Sequence, residues 1–519
     1  MAYESVILIL FVIASAVAIV ARRFDLPYTI ALMAVGLVLG PMKLLHPPHL
    51  TQELVYSIFL PPLIFEAAIH LRASELLKNI WIVLILAVPG VVMATLLTAG
   101  VMIPVSTHLV HHIEVVTWSL GILFGAAVAA TDPVAVGGVF KKMGAPRRLR
   151  ILVEGESLLN DGTSIVVFVI AVQFIQGTLS SPQGAITDFF RIVGLGLIIG
   201  MLVGLAADAV MRHIHDAMVV ITITTVAAFG SFLIAEHVGV SGVMSCVAAG
   251  LVCGEKSFSS ALFPAIKIAT ETFWEYVAFA MNSLIFLLMG FAIDITRMVE
   301  LWPAILIAFG AVVCARFMVV LATWMLFRPT RQRIPFAWSL VLGWGGLKGA
   351  LSMVLAMSIP DSMAFKDTIV TLVFGVVLLS IFFQGLTMAP FMRFLKVALP
   401  VKGLGDYESL KARFVLLQNA LEEIDRLFQK RLLTPKSARS LKEEFRNQLE
   451  EVSRELEKIQ PDREAIVAEE ILRTKRCLII DQKAQLLEMY QTGSIGLEAY
   501  EKLKEELDAR LLEIESLGA

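Results

Sequence analysis

The sequence predicts an all-α polytopic membrane protein, about thirteen transmembrane helices followed by a helical cytosolic C-terminal domain. Three observations carry that prediction. Of 519 residues, 57% are hydrophobic and only 17% are charged, with a mean hydropathy of +0.79, far from the averages of soluble globular chains. Apolar stretches recur from Tyr3 to near Leu399, each of about 20 residues, the length a helix needs to cross hydrocarbon. They run without strand-type alternation, and a helix satisfies its own backbone in lipid.

The spans centre near residues 12, 33, 61, 91, 127, 163, 199, 227, 247, 280, 314, 347 and 382, the ninth being short. One set of alternate loops holds fifteen basic residues, Arg22, Arg23, Arg72, Lys78, Lys141, Lys142, Arg147, Arg148, Arg150, Arg212, Lys256, Lys267, Arg328, Arg331 and Arg333. The other set holds four, Lys43, Arg191, Arg297 and Lys366. Because Lys and Arg collect in cytoplasmic loops, this bias places the N-terminus outside and the tail in the cytoplasm. The first span has no basic flank or small-residue cleavage site and is expected to persist as a helix.

Residues 1–400 therefore form the membrane domain and 401–519 a cytosolic tail. From Lys402 to the end there are 20 basic and 24 acidic residues. Leu441, Phe445, Leu449, Val452, Leu456 and Ile459 fall on one helical stripe. Such a tail serves dimerisation or regulates the membrane part, with an unidentified ligand or protein as its partner. Cys246, Cys253, Cys314 and Cys477 have neither disulfide-framework nor metal spacing and read as small buried apolar residues.

Two spans are interrupted. The fifth contains Thr131-Asp132-Pro133 ahead of Gly137-Gly138, and Pro133 disfavours helix at Asp132 and frees carbonyls upstream. The twelfth contains Gly343, Gly345, Gly346 and Gly349 around Lys348, a glycine density that lets the backbone leave the helix. Two breaks seven spans apart make spans four to six and eleven to thirteen inverted repeats, with two crossed discontinuous helices at a midplane site. The crossed half-helices leave partial charges at depth, which Asp132 and Lys348 are suited to offset; direct ion contact is the alternative role for both.

The sixth span carries Glu156, Asn160 and Asp161. Ionisable groups there are costly in lipid and mark ion or proton pathways. Positions four apart share a helical face, so Ser157 lies over Asp161 and Glu156 over Asn160. A hydroxyl and a carboxylate on one face are hard oxygen ligands for a small alkali cation, and Asp161 is the principal candidate. Glu156 on the other face needs a cationic partner, for which Arg316 in the eleventh span has the right depth. In the third span Pro61-Pro62 disturb the helix before Glu66, which is either a second ion ligand or a vestibule charge. His108, His111, His112, His213 and His215 read as solvated loop histidines, and Gly196, Gly200 and Gly204 as a close helix contact.

The segments LPPLIFEAA, ATDPVAV, EGESLLNDG and GWGGLKGALS occur in this order over residues 1–400, and in them the chain resembles sodium/proton exchangers of the cation:proton antiporter-1 family. The resemblance implies a homodimer of thirteen-helix protomers, each with a dimerisation domain and a six-helix core that moves to give alternating access. It implies that Asp161 binds cation or proton, aided by Glu66, Ser157 and the Thr131 carbonyl. The family's Asn-Asp pair falls on Asn160 and Asp161, Glu156 and Arg316 match its buried ion pair, and Asn160 implies electroneutral exchange. Lys348 departs from the arginine of many animal members. Exchange would follow from competition: desolvation penalises a bare carboxylate, and either a proton or a cation relieves it. Transported Na+ (or K+ or Li+) and H+ are then the cargo in the cell membrane, with no cofactor, no nucleic-acid partner and no enzymatic reaction expected. The chain lacks a GxxxxGK[ST] phosphate loop. Gly403-Leu404-Gly405-Asp406 fits the GxGD of intramembrane aspartyl proteases but lies in the polar linker. A passive channel or a membrane sensor with the tail as output are the remaining alternatives.

Overall fold

The computed structural model describes residues 3–23, 28–40, 42, 54–109, 118–132, 134–178, 182–214, 216–255, 264–292, 295–330, 332–360, 362–363, 365–397, 404–430 and 432–458, and most positions between 471 and 517. Pro133, His111, His112, His215, Lys43, Lys256, Arg331, Gly403, Ile459 and Cys477 lie outside the described residues. No strand occurs among those described.

The chain forms two compact units, Met1–Val397 and Ala398–Ala519. In the first, helices follow one another as α1 (Tyr3–Arg23), α2 (Tyr28–Leu39), a π-helical turn Leu54–Phe59, α3 (Leu60–His70), α4 (Ala73–Lys78), α5 (Ile80–Ala87), α6 (Pro89–Leu109), α7 (Trp118–Ala127), α8 (Val134–Met143), α9 (Arg147–Ile175), α10 (Pro182–Met211), α11 (Ala217–Val238), α12 (Gly242–Val252) and α13 (Pro264–Ala292). After α14 (Ile295–Glu300) come α15 (Trp302–Phe327), α16 (Phe336–Trp344), α17 (Ala350–Met357), α18 (Lys366–Leu379), a π-helical turn Ser380–Gln384 and α19 (Gly385–Phe394).

Among the described residues seven helices are long and apolar enough to cross a membrane, with five shorter apolar helices beside them. The fifth and twelfth spans are each two half-helices, α7 and α8, α16 and α17, separated by residues 128–133 and 345–349. The breaks meet, and the Asp132 amide donates to the Leu347 carbonyl at 2.8 Å. Around them α5 and α6 pack on α9 and α15, α7 on α9 and α18, and α8 on α19. A second group packs α2 on α13, α3 on α12, and α12 on α10 and α11, with α9 touching both groups.

The backbone leaves the helix at residues 345–349, as the glycine density predicts. None of Gly343, Gly345, Gly346 and Gly349 has a positive φ, so the break needs no left-handed residue. They supply room. A Cβ at Gly346 would stand 2.7 Å from Arg316 Nε, and one at Gly349 would stand 2.7 Å from the Asp132 carboxyl carbon.

The alternate loops meet as the spans require. Arg148 Nε donates to Asn79 Oδ1 at 2.9 Å while its guanidinium reaches the Gln332 and Arg333 carbonyls at 2.9 and 3.1 Å, tying three loops of the basic set on one face. Arg147 also pairs with Glu75. Two segments of the opposite set are joined by Arg297 and Asp367 at 3.0 Å. Cys246 and Cys253 are buried as expected, but Cys314 is exposed on α15, because its helical register turns it away from the partners of Arg316.

The second unit contains α20 (Leu404–Gln429), α21 (Pro435–Lys458) and α22 (Leu497–Leu517). α20 and α21 pack as a hairpin over buried Leu417, Ile424, Ala438 and Val452, and Lys442 pairs with Asp425 across it.

The glycine row of α10 lies against α12 without side-chain spacers. A Cβ at Gly200 would stand 2.8 Å from the Ser245 Cα, whereas one at Gly194 would meet nothing within 4 Å. Overpacking of this kind costs about 1–3 kcal/mol. Gly200→Ala is therefore expected to lower the melting temperature of the purified protein, and Gly194→Ala on the same helix to leave it unchanged.

Candidate functional site

Breaking a helix inside the membrane strands carbonyls that lipid cannot satisfy. At the end of α7 the stranded groups belong to Ala129, Ala130 and Thr131, and the chain answers each with a buried side chain. Lys348 Nζ donates to the Ala129 and Ala130 carbonyls at 3.4 and 3.3 Å. Asn160 Nδ2 donates to the Ala129 carbonyl at 3.3 Å and to Thr131 Oγ1 at 3.2 Å. Ser157 Oγ donates to the Thr131 carbonyl. Two of these side chains come from α9, whose 29 residues run unbroken past the crossing. The ammonium thus sits at the negative end of a half-helix, and Asp132 lies against Gly349, the N-cap of α17, where the positive end is.

Glu156 and Arg316 form a fork-to-fork pair at 2.7 and 2.6 Å, with both residues buried. Arg316 Nη2 also donates to the Leu342 carbonyl at 3.2 Å, so the pair anchors α15, α9 and the end of α16 together. Asn160 reaches Glu156 Oε1 at 3.5 Å. Two small cavities flank the crossing. One is lined by Asn160, Arg316 and Lys348 among apolar neighbours, the other by Thr131, Asp132, Glu156, Ser157 and Arg316.

Asp161 is half-buried one residue beyond Asn160, and Asp132 and Glu156 are the charged groups acting on it. Ser157 beside it has its proton committed to the Thr131 carbonyl, leaving its lone pairs free to accept. Oxygen atoms of a carboxylate, a hydroxyl and a carbonyl are the donor set a small hard cation takes. Asn160 turns its amide nitrogen to the break, while its Oδ1 has no protein partner. Among the described residues no cluster of three His, Cys, Asp or Glu suits a resident metal ion.

Glu66 stands on α3, which packs against α9. Its Oε1 lies 3.4 Å from His70 Nδ1, one turn along α3, and Glu275 and Glu154 are its other charged neighbours. Tyr28 connects the two regions, sharing a hydrogen bond with Asn282 and lying within electrostatic reach of both Asp132 and Glu66. Sequence reading passed over Tyr28, Asn282, Glu154, Glu275 and His70. Glu154 carried a usable signal, since two positions from Glu156 turns it about 200° around the helix, toward other neighbours.

The profile of the family described as "Sodium/hydrogen exchanger, transmembrane" matches residues 7–394. The chain is 33% identical over 439 residues to the low-affinity Na(+)/H(+) antiporter NhaS1 of Synechocystis sp., covering 83% of this chain and 81% of that one. It is 31% identical over 460 residues to the Na(+)/H(+) antiporter NhaG of Bacillus atrophaeus, covering 86% and 85%. In fold it is similar to the solved structure of the sodium proton antiporter MjNhaP1 from Methanocaldococcus jannaschii, with a TM-score of 0.63 at 21% identity over 76% of this chain and 98% of that one.

Removing one partner of a buried ion pair costs about 3–5 kcal/mol, because the other charge is left uncompensated. Glu156→Gln is expected to destabilise the fold by that order and so to lower folded yield and melting temperature. The double substitution Glu156→Gln with Arg316→Met, which removes the orphaned guanidinium, is expected to recover part of the loss. Thermal unfolding of the two purified variants measures both.

Proposed function

The chain belongs to the transmembrane sodium/hydrogen exchanger family, and from that premise we propose a cation/proton antiporter in which Asp161 is occupied by turns by Na+ and H+. The antiport itself follows from the family and its curated Na(+)/H(+) relatives. The assignment of Asp161 is supported by one observation above the rest: a half-buried carboxylate next to Ser157, which donates to the carbonyl freed at Thr131. Thr131 and Ser157 complete the cation's oxygen shell in this reading. Glu66, with His70 beside it, receives the cation on its way to Asp161.

A bare carboxylate at depth is unfavourable, and a proton or a sodium ion neutralises it equally. If the membrane domain changes access only when Asp161 is neutralised, each crossing carries one species and a proton gradient drives sodium the other way. Asn160 keeps the exchange electroneutral, since it brings no second titrating carboxyl and serves the break with its amide. Asp132 and Lys348 balance the half-helix ends, and Glu156 with Arg316 holds the frame.

The seven long helices, the five shorter ones and the α16–α17 pair support thirteen crossings. The basic loops favour an outside N-terminus in the cell membrane and a cytoplasmic tail. Residues 1–400 then form the exchanger domain of a homodimer, and residues 401–519 a helical tail that dimerises or regulates it through a ligand or protein partner.

Purified protein in liposomes with an internal pH dye, challenged with sodium, potassium, lithium and choline, tests this reading. Sodium is expected to move the internal pH, and Asp161→Asn to reduce the initial rate at least about tenfold while the protein stays folded. Unaltered exchange in that variant would refute the role of Asp161.

A further inference from the structure

At its middle the thirteenth span changes pitch: α18 passes into the π-helical turn Ser380–Gln384 before α19. Turns of this kind are rare and gather at functional positions. Ser380 and Gln384 are 0% and 3% exposed, and every polar atom they turn inward is used. The Lys348 amide donates to Ser380 Oγ at 3.0 Å. Ser380 Oγ donates to Gln384 Oε1 at 2.6 Å, and Gln384 Nε2 donates to the Trp344 carbonyl at 3.1 Å. Trp344 closes α16 and Lys348 precedes α17, so one turn of the thirteenth span holds both edges of the second break. The Trp344 indole donates to Thr387 Oγ1 at 3.0 Å, adding a further tie to the same helix.

The register of these residues repeats that of the ion site. Ser157, Asp161 and Gly162 follow the spacing of Ser380, Gln384 and Gly385, and each serine contacts the break of its own half. The chemistry differs. In the first half the residue four beyond the serine is a carboxylate, whereas in the second it is an amide whose two ends are both engaged. A neutral, saturated amide offers nothing to a proton or a cation.

We infer that Ser380 and Gln384 are positioning residues for transport: a closed counterpart of Ser157 and Asp161 that sets where Lys348 stands. Lys348 carries its ammonium to the Ala129 and Ala130 carbonyls, one residue short of Thr131. Loosening its backbone shifts a positive charge relative to Thr131 and Asp161, and so alters how strongly the site holds sodium against a proton. The inference rests on the transport reading above.

The test uses full-length Ser380→Ala, Gln384→Leu and Ser380→Thr in liposomes, with hydrogen–deuterium exchange over the segment 344–348. Ser380→Ala and Gln384→Leu are expected to speed deuterium uptake there. They should also raise the half-saturating sodium concentration about three- to tenfold and displace the pH profile of exchange, and Ser380→Thr, which keeps the hydroxyl, should restore both. Folded Ser380→Ala and Gln384→Leu with wild-type sodium dependence and pH profile would overturn the inference, even if yield or maximal rate fell. Should either fail to fold, Gln384→Asn carries the same readouts with the amide retained on a shorter stem. If the wild-type protein moves no protons in response to cations, the transport reading falls; uptake over 344–348 still decides whether these residues hold the break.

Discussion

A carbonyl released from a helix inside hydrocarbon must find a donor, and most of the site is a response to that requirement at Ala129, Ala130 and Thr131. Lys348 meets it from the second break and Asn160 and Ser157 from α9, so the break is held by residues far away in the chain. One of these donors, Ser157, stands one helical turn before Asp161 on α9. Structural necessity at the break and placement of the carboxylate are thus two results of one arrangement.

The second break solves the same problem with other means. Its carbonyl at Trp344 receives an amide from Gln384, and its stranded N–H at Lys348 reaches a hydroxyl on Ser380. Arg316 crosses between the halves, gripping Glu156 on α9 and the Leu342 carbonyl on α16. Both breaks are thus held by a serine in a neighbouring span, but the residue four beyond it is a carboxylate at Asp161 on unbroken α9 and a saturated amide at Gln384 in the π-helical turn. In the proposed mechanism this asymmetry leaves one exchanging group, Asp161.

Much of the fold was legible because the membrane leaves few options: long apolar runs without alternation become helices, and TDP and GWGGLKG mark the places where two of them fail. The facing of Ser157 and Glu156 followed from helical pitch alone, and depth selected Arg316 for Glu156. Less was legible where neighbours come from distant spans. The surroundings of Glu66 are made by α9 and α13 as well as its own helix, and no spacing within LPPLIFEAA announces Glu275 or Glu154. The glycines near Lys348 signalled irregular backbone, which the structure has, but not that they also admit the bulk of Arg316 and the carboxyl of Asp132. Ser380 and Gln384 sit in an apolar run whose pattern gives no warning of a π turn.

The close approach of Arg316 to Gly346 has a consequence for how such a sequence changes over generations. A methyl group at 346 would displace the guanidinium, and a displaced guanidinium abandons Glu156. Positions 156, 316 and 346 lie far apart in the gene but meet in space, so a replacement at one alters what the other two can hold.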